Sequence, residues 1–345
     1  MNFWVGIYVL QGSSNIEITG NTVMNVLAGV SVQYTSGLTI TDNDVSTVNT
    51  GVPYYRPGVG YSIYYSNPCT ITGNTATNVD SMGGGFNINE PSDSTISDNY
   101  AYNVGGGFTF SYAEDSFISD NRAESNRYYG FKIVGENNKV VNNVAIDNQE
   151  EGFSLYGYGY DSTQNKLTSN QAINNKYGFK LEGAKENTFK QNMAIDNSQS
   201  GFELSWNCKE NLFVDNTASG NMYGFKSTDY DWRNPTKENS FIRNTVYENR
   251  DGFRLDYTTE NILKNNEVYQ NSGFGFYLAR SSKNTITGND AIDNFVGFYV
   301  HLNSNENTIA GNTATGNSYW DAYQHYSCKE NEWNHNKFDV TEGLP

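Results

Sequence analysis

Five carboxylates, Glu182, Glu203, Asp229, Asp231 and Asp256, fall within one stretch of the chain. Cations and rings are interleaved with them: Lys180, Lys226, Arg254, Tyr158, Tyr160, Trp206, Tyr230, Trp232 and Tyr257. Two carboxyl groups about 5–9.5 Å apart can hydrolyse a glycosidic bond. A base such as Lys180, Lys226 or Tyr230, with Arg254 neutralising a uronate, would instead serve a lyase or an epimerase. Aromatic faces stack on sugar rings, and Lys and Arg pair with uronate or sulfate. This chemistry requires that the fold bring the residues onto one face.

A repeat supplies that face. Asparagine recurs at 21, 43, 74, 99, 121, 143, 170, 192, 216, 244, 266, 289, 312 and 336, and seven of the thirteen spacings are 22 or 23. Three residues earlier the side chain is apolar in every copy, from Ile18 to Trp333. Two residues later it is Ala or Val in thirteen, and Phe338 in the last. About nine residues further comes Gly-Phe-x-Leu, whose Phe appears in ten consecutive copies from Phe86 to Phe298. Helical solenoids need about 33 residues per repeat. Here apolar residues alternate over three or four positions and a corner follows, which marks short strands. The fold class is therefore all-β: a single-stranded right-handed parallel β-helix of about 14 coils with 22–23-residue repeats. Scarce leucine, 13 in 345 residues, argues against leucine-rich repeats and helical bundles.

Successive coils lie about 4.8 Å apart, so equivalent residues form rows. The phenylalanines then make a buried column of stacked rings. The 50 asparagines gain a regular use. Asn tolerates the left-handed conformation of a sharp corner, and stacked Asn side chains hydrogen-bond along a ladder. Further rows run five before the anchor (Asn138 to Asn331) and five after it (Asn126 to Asn317).

Segments such as N-T-F-K-Q-N-M-A-I-D-N-S-Q-S-G-F-E-L, residues 187–204, resemble PbH1/NosD-type right-handed parallel β-helix repeats. The resemblance covers nearly the whole chain. It implies a secreted or surface protein, often archaeal, from a group that includes polysaccharide lyases, hydrolases, epimerases, binding modules and structural proteins. The NosD label implies a copper link, for which the scattered His and Cys give no ligand spacing. Y-G-Y-G-Y-D at 156–161 is similar to tyrosine-acid motifs of alginate epimerases. The histidine that should follow is absent, so those roles are not carried over.

Three insertions interrupt the repeat: 49–58, 156–163 and 228–237. They flank the Gly-Phe-x-Leu sheet, which reads as the floor of a groove. Its outward row is Asn87, Thr109, Lys132, Ser154, Lys180, Glu203, Lys226, Arg254, Tyr277 and Tyr299. Glu182, Asp256 and His301 come next, and nearby turns add Trp206, Tyr257 and Arg280. Glu182 and Glu203 are very roughly 8 Å apart by strand dimensions, as an inverting pair requires. The bland alternative is a solvated row whose charges alternate to avoid like-charge stacking. A separate outward row, Ile146, Ile173, Ile195, Tyr247, Tyr269 and Ile292, could pack on another chain or domain.

The formal charge of −16 disfavours nucleic acid and anionic membranes. No apolar run of about 18 residues exists to span a bilayer. Cys69, Cys208 and Cys328 are too many coils apart to pair and are expected to be reduced. No cofactor is expected; calcium at Asp42-Asn43-Asp44 or Asp215-Asn216 is the weak exception, without an RTX or EF-hand pattern. The chain reads as one β-helix domain over 1–345, a piece of a longer surface protein whose signal peptide is missing. The leading functional reading is an extracellular or cell-surface protein that binds an acidic polysaccharide. In its enzymatic form it cleaves a uronate-containing glycan as a hydrolase or lyase. The alternatives are a non-enzymatic scaffold or adhesin and a NosD-like periplasmic accessory protein.

Overall fold

The computed structural model describes residues 5–48, 58–79, 83–157, 162–229 and 235–345. Among these every regular element is a strand, arranged in about 14 coils whose strands form three parallel sheets. Two compact units, Met1–Lys176 and Tyr177–Pro345, are each built from this coil. One sheet carries the long strands, such as Gly84–Asn89 in the first unit and Tyr223–Thr228 in the second. The other two carry three-residue strands, such as Thr188–Lys190 and Met193–Ile195.

Registers are unshifted through most of each unit, so the rows expected from the repeat exist. In the second unit Phe179, Phe202, Phe225, Phe253, Phe276 and Phe298 stack face to face, with ring centroids 4.5–5.3 Å apart. A second column, Phe189, Phe213 and Phe241, meets the first edge-on. In the first unit Tyr61, Phe86, Phe108, Phe131 and Phe153 form the equivalent stack. The Gly before each Phe is fixed by contact. A Cβ on Gly224 would lie 2.4 Å from the Val246 side chain and 2.8 Å from the Gly252 carbonyl oxygen.

The asparagine columns are present and their hydrogen bonding is saturated. Asn216 donates its backbone N–H and its Nδ2 to Asn244 Oδ1, each at 3.0 Å. Nδ2 also donates to the Phe189 carbonyl at 3.0 Å. Its Oδ1 accepts from Asn192 N and Nδ2 at 2.9 and 3.1 Å. One detail differs from the sequence expectation. The ladder asparagines do not take the left-handed conformation; the residue before each anchor does, as in Asp42, Asp98, Asp215 and Asn265. That residue turns the chain, and the turn aims the following Asn inward, where its amide ties neighbouring coils.

All three cysteines are buried and free, as expected. Burial pushes the Cys69 thiol up to about 11 and the Cys208 thiol up to about 12.

Candidate functional site

In the second unit the outward row of the long-strand sheet runs in strict register: Lys180, Glu203, Lys226, Arg254, Tyr277, Tyr299, Tyr323. Five of the seven strands that hold it, from Tyr177–Glu182 to Trp320–Gln324, bury Phe and an apolar partner beneath; Tyr223–Thr228 places Ser227 in the second position, and Trp320–Gln324 places Ala322 and Gln324 there. Period-2 alternation therefore pushes this row outward.

The charged half of the row is already paired. Lys180 Nζ lies 3.1 Å from Glu182 Oε1. Lys226 Nζ lies 3.5 Å from Glu203 Oε2, which also accepts from Ser200 Oγ at 2.7 Å. Arg254 Nε donates to Asp256 Oδ2 at 2.6 Å, and its Nη1 reaches Asp251 Oδ2 at 3.4 Å. The Arg254 guanidinium also lies 4.4 Å from the Tyr277 ring centroid and 5.4 Å from that of Tyr223. Lys226 shares the Tyr223 ring at 5.5 Å, and Lys180 has Tyr177 at 5.1 Å. Burial pushes the Asp251 carboxyl up, while the Phe274 N–H and Arg254 pull it back.

The aromatic half behaves differently from the sequence expectation. Tyr277 stacks on Tyr299 at 5.6 Å and Tyr299 on Tyr323 at 4.9 Å, with planes within 13° of parallel. Neighbouring coils occupy the ring faces, so the row presents edges and hydroxyls outward. Burial raises the phenol pKa of all three, so the hydroxyls remain neutral donors. Beside them His301 and His325 meet edge to face at 4.5 Å. Burial, His325 and Arg280 lower the His301 pKa.

Glu182 and Glu203 occupy neighbouring strands two residues out of register, since Glu182 faces Ser205 and Glu203 faces Lys180. Asp256 joins the face through Arg254. Asp229 does not: it is 1 % exposed, and its Oδ2 accepts from Asn207 N, Thr236 N and Thr236 Oγ1 at 3.0, 2.8 and 3.0 Å. It pins the corner after its strand. Trp206 and Tyr257 are exposed at left-handed corner positions, and Arg280 covers the Tyr257 ring at 4.9 Å. Tyr158, Tyr160, Tyr230, Asp231 and Trp232 lie outside the described residues, as do 49–57 of the first insertion.

Sequence reasoning missed Ser200, Tyr223 and Asp251. Each precedes the Gly of a Gly-Phe pair, where alternation predicts an inward side chain. Ser200 and Asp251 are buried there, and they and the half-buried Tyr223 meet the outward row from beneath. The available signal was the change of residue type at that position, Tyr177, Ser200, Tyr223, Asp251, Phe274.

Other expected features fall elsewhere. Asp215 pairs with Arg243 at 2.8 Å, while Asn43 and Asn216 are ladder rungs. In the apolar row Ile195, Tyr247 and Tyr269 are half-buried and Ile292 is exposed; Tyr247 stacks on Tyr269 at 5.1 Å. Among the described residues no three His, Cys, Asp or Glu side chains converge as metal ligands. No helix among them is long and apolar enough to cross a membrane.

The family model described as "Periplasmic copper-binding protein (NosD)" matches residues 4–152, 47–248 and 235–342. No curated protein matches the sequence. Among solved structures, the mannuronan C-5 epimerase AlgE6 A-module of Azotobacter vinelandii is similar, with a TM-score of 0.57 at 15% identity, over 76% of this chain and 80% of that one. A point mutant of the periplasmic alginate epimerase AlgG gives 0.50 at 14% identity, over 95% and 79%. The catalytic unit of a GH87 alpha-1,3-glucanase from Streptomyces thermodiastaticus strain HF3-3 gives 0.45 at 15% identity, over 98% and 64%. At such identities the likeness concerns the fold.

Proposed function

The chain belongs to the NosD family, and from that premise we propose that it binds a polysaccharide along the outward row from Lys180 to Tyr323. One observation carries the reading. Arg254, on an outward face, is held by two carboxylates and lies against two rings. A solvated surface arginine needs no such fixing; a ligand contact gains from having its donors set before binding. The similar solved structures include one protein named a mannuronan epimerase and one named an alginate epimerase, in keeping with a glycan. The setting proposed is the periplasm or cell surface. The proposal stops at binding, because Glu182, Glu203 and Asp256 are each committed to a cation.

Affinity electrophoresis against a glycan panel tests this. Arg254→Ala should weaken binding at least about tenfold, the worth of one charge-assisted hydrogen bond. Lys190→Ala, on a different sheet, should leave binding unchanged. Full binding by a folded Arg254→Ala protein would place the site elsewhere.

The family description names copper, and the residues present do not fit it. Soft thiolate and thioether ligands favour Cu(I), and imidazoles suit Cu(II). The thiols are buried, free and separate, and those of Cys69 and Cys208 are pushed up by burial. Among the described residues His301 and His325 give two imidazoles without a third His, Cys, Asp or Glu ligand, beside the positive charge of Arg280. No step of the proposed function runs through copper. Addition of equimolar Cu(I) or Cu(II) should move the Tm by less than about 1 °C. A larger rise with 1:1 stoichiometry would show a site that the described residues do not.

A further inference from the structure

We infer that the ligand of this face is an uncharged, hydroxyl-rich polysaccharide and that polyuronates are disfavoured. The inference rests on the binding proposal above and narrows its substrate class. It reverses the expectation, drawn from Lys180, Lys226 and Arg254, that the glycan is acidic.

The reason lies in what the cations already hold. A uronate gains most from a lysine or arginine whose charge no protein carboxylate already neutralises. Lys180 has Glu182 at 3.1 Å, and Lys226 has Glu203 at 3.5 Å. Arg254 directs Nε to Asp256 and Nη1 toward Asp251, and Tyr223 and Tyr277 lie against it. The row and its partners hold three cations, Lys180, Lys226 and Arg254, against four carboxylates, Glu182, Glu203, Asp251 and Asp256. Three minus four leaves one net negative charge. Arg280, turned onto the Tyr257 ring, brings the count only to zero. The chain as a whole carries −16.

The same pairs suit hydroxyl groups. Glu203 and Asp251 are buried, whereas the Lys180–Glu182 and Arg254–Asp256 pairs are partly exposed and present acceptor lone pairs and donor N–H groups side by side. A hydroxyl both donates and accepts, so neighbouring sugar hydroxyls can satisfy both halves of the pair at once. A carboxylate ligand can only accept. It would satisfy the cation and be repelled by the anion. Beyond the charged half, the Tyr277, Tyr299 and Tyr323 edges continue the surface with neutral hydroxyls. In water-like dielectric, a unit carboxylate held about 5 Å from a protein carboxylate loses about fourfold in affinity.

Isothermal titration of the full chain separates the outcomes. The probes are a linear neutral glucan, a linear neutral mannan and a polyuronate of matched length, in roughly 0.02 M and 0.5 M salt. The expected result is a neutral glycan bound at least about fourfold tighter than polyuronate at low salt, with affinity changing less than about twofold on adding salt. Glu182→Gln, which removes one negative charge beside Lys180 at a partly exposed position, should raise polyuronate affinity by about the same factor. Polyuronate bound as tightly as or more tightly than the neutral chains, and weakened by salt, would overturn the inference and leave the binding proposal standing. Binding of none of the three would overturn both.

Discussion

Replacing Phe225 with alanine is expected to cost about 4 kcal/mol of stability. The ring is 1 % exposed and lies between Phe202 at 4.5 Å and Phe253 at 4.8 Å, with Phe213 and Phe241 edge-on at 6.0 and 5.6 Å. Each of those rings is itself held in a column, so the space left cannot close by one neighbour moving in. The cavity term then adds to the transfer term, and the ring–ring attraction is lost as well. Phe295→Ala is the comparison: this ring is exposed and stacks on Tyr319, at 5.4 Å, and should cost less than about 1 kcal/mol. Urea unfolding followed by circular dichroism gives both values. A loss below about 2 kcal/mol at Phe225 would mean that the column is far more compliant than its geometry implies.

Asn244→Ala is expected to cost about 2–4 kcal/mol although it removes no apolar contact of any size. Asn244 Oδ1 is the acceptor for Asn216 N and Nδ2, both at 3.0 Å, in a buried column. Its own Nδ2 serves Asn266 Oδ1 at 3.0 Å and the Phe213 carbonyl at 3.1 Å. Truncation leaves two donors of Asn216 unpaired on one side and removes a donor from two acceptors on the other. Buried groups left unsatisfied carry their full desolvation cost, which exceeds the net worth of the bonds themselves. Asn334→Ala, at an exposed position, should change stability by less than about 0.5 kcal/mol. Equal effects at both positions in urea unfolding would refute a special role for the ladder.

Much of this was readable in the sequence because it repeats. A residue type recurring every coil declares a row, and burial of Phe202 or Asn216 follows from the row alone. Lys180, Glu203, Lys226 and Arg254 were placed on one face by alternation, and they do share it. Alternation fails at corners. It gives no sign that Tyr223 and the buried Asp251, at the first position of their strands, reach Arg254. It says nothing of Asp229, named among the candidate carboxylates, because the strand has ended there and backbone N–H groups claim the carboxylate. Ion pairing was illegible for a different reason. Composition along a row gives charge, but whether a cation is spent depends on side-chain reach, as between Lys180 and Glu182.

The asparagine columns divide each turn of the chain into a part of fixed length and a part of free length. In Asn187, Asn192, Asn197, in Asn211, Asn216, Asn221 and in Asn239, Asn244, Asn249 the three rungs are always five residues apart. Three columns must stay aligned at once, so a deletion or insertion inside that arch would break all of them in the coils on either side. The remaining arc, which carries the long strand, varies: anchor spacing reaches 31 between Asn43 and Asn74 and 28 between Asn216 and Asn244. Length changes are absorbed on the side of the coil that presents Arg254 and its partners. A lineage can therefore rebuild the borders of the proposed binding face by adding or removing residues, while the hydrogen-bonded spine stays untouched.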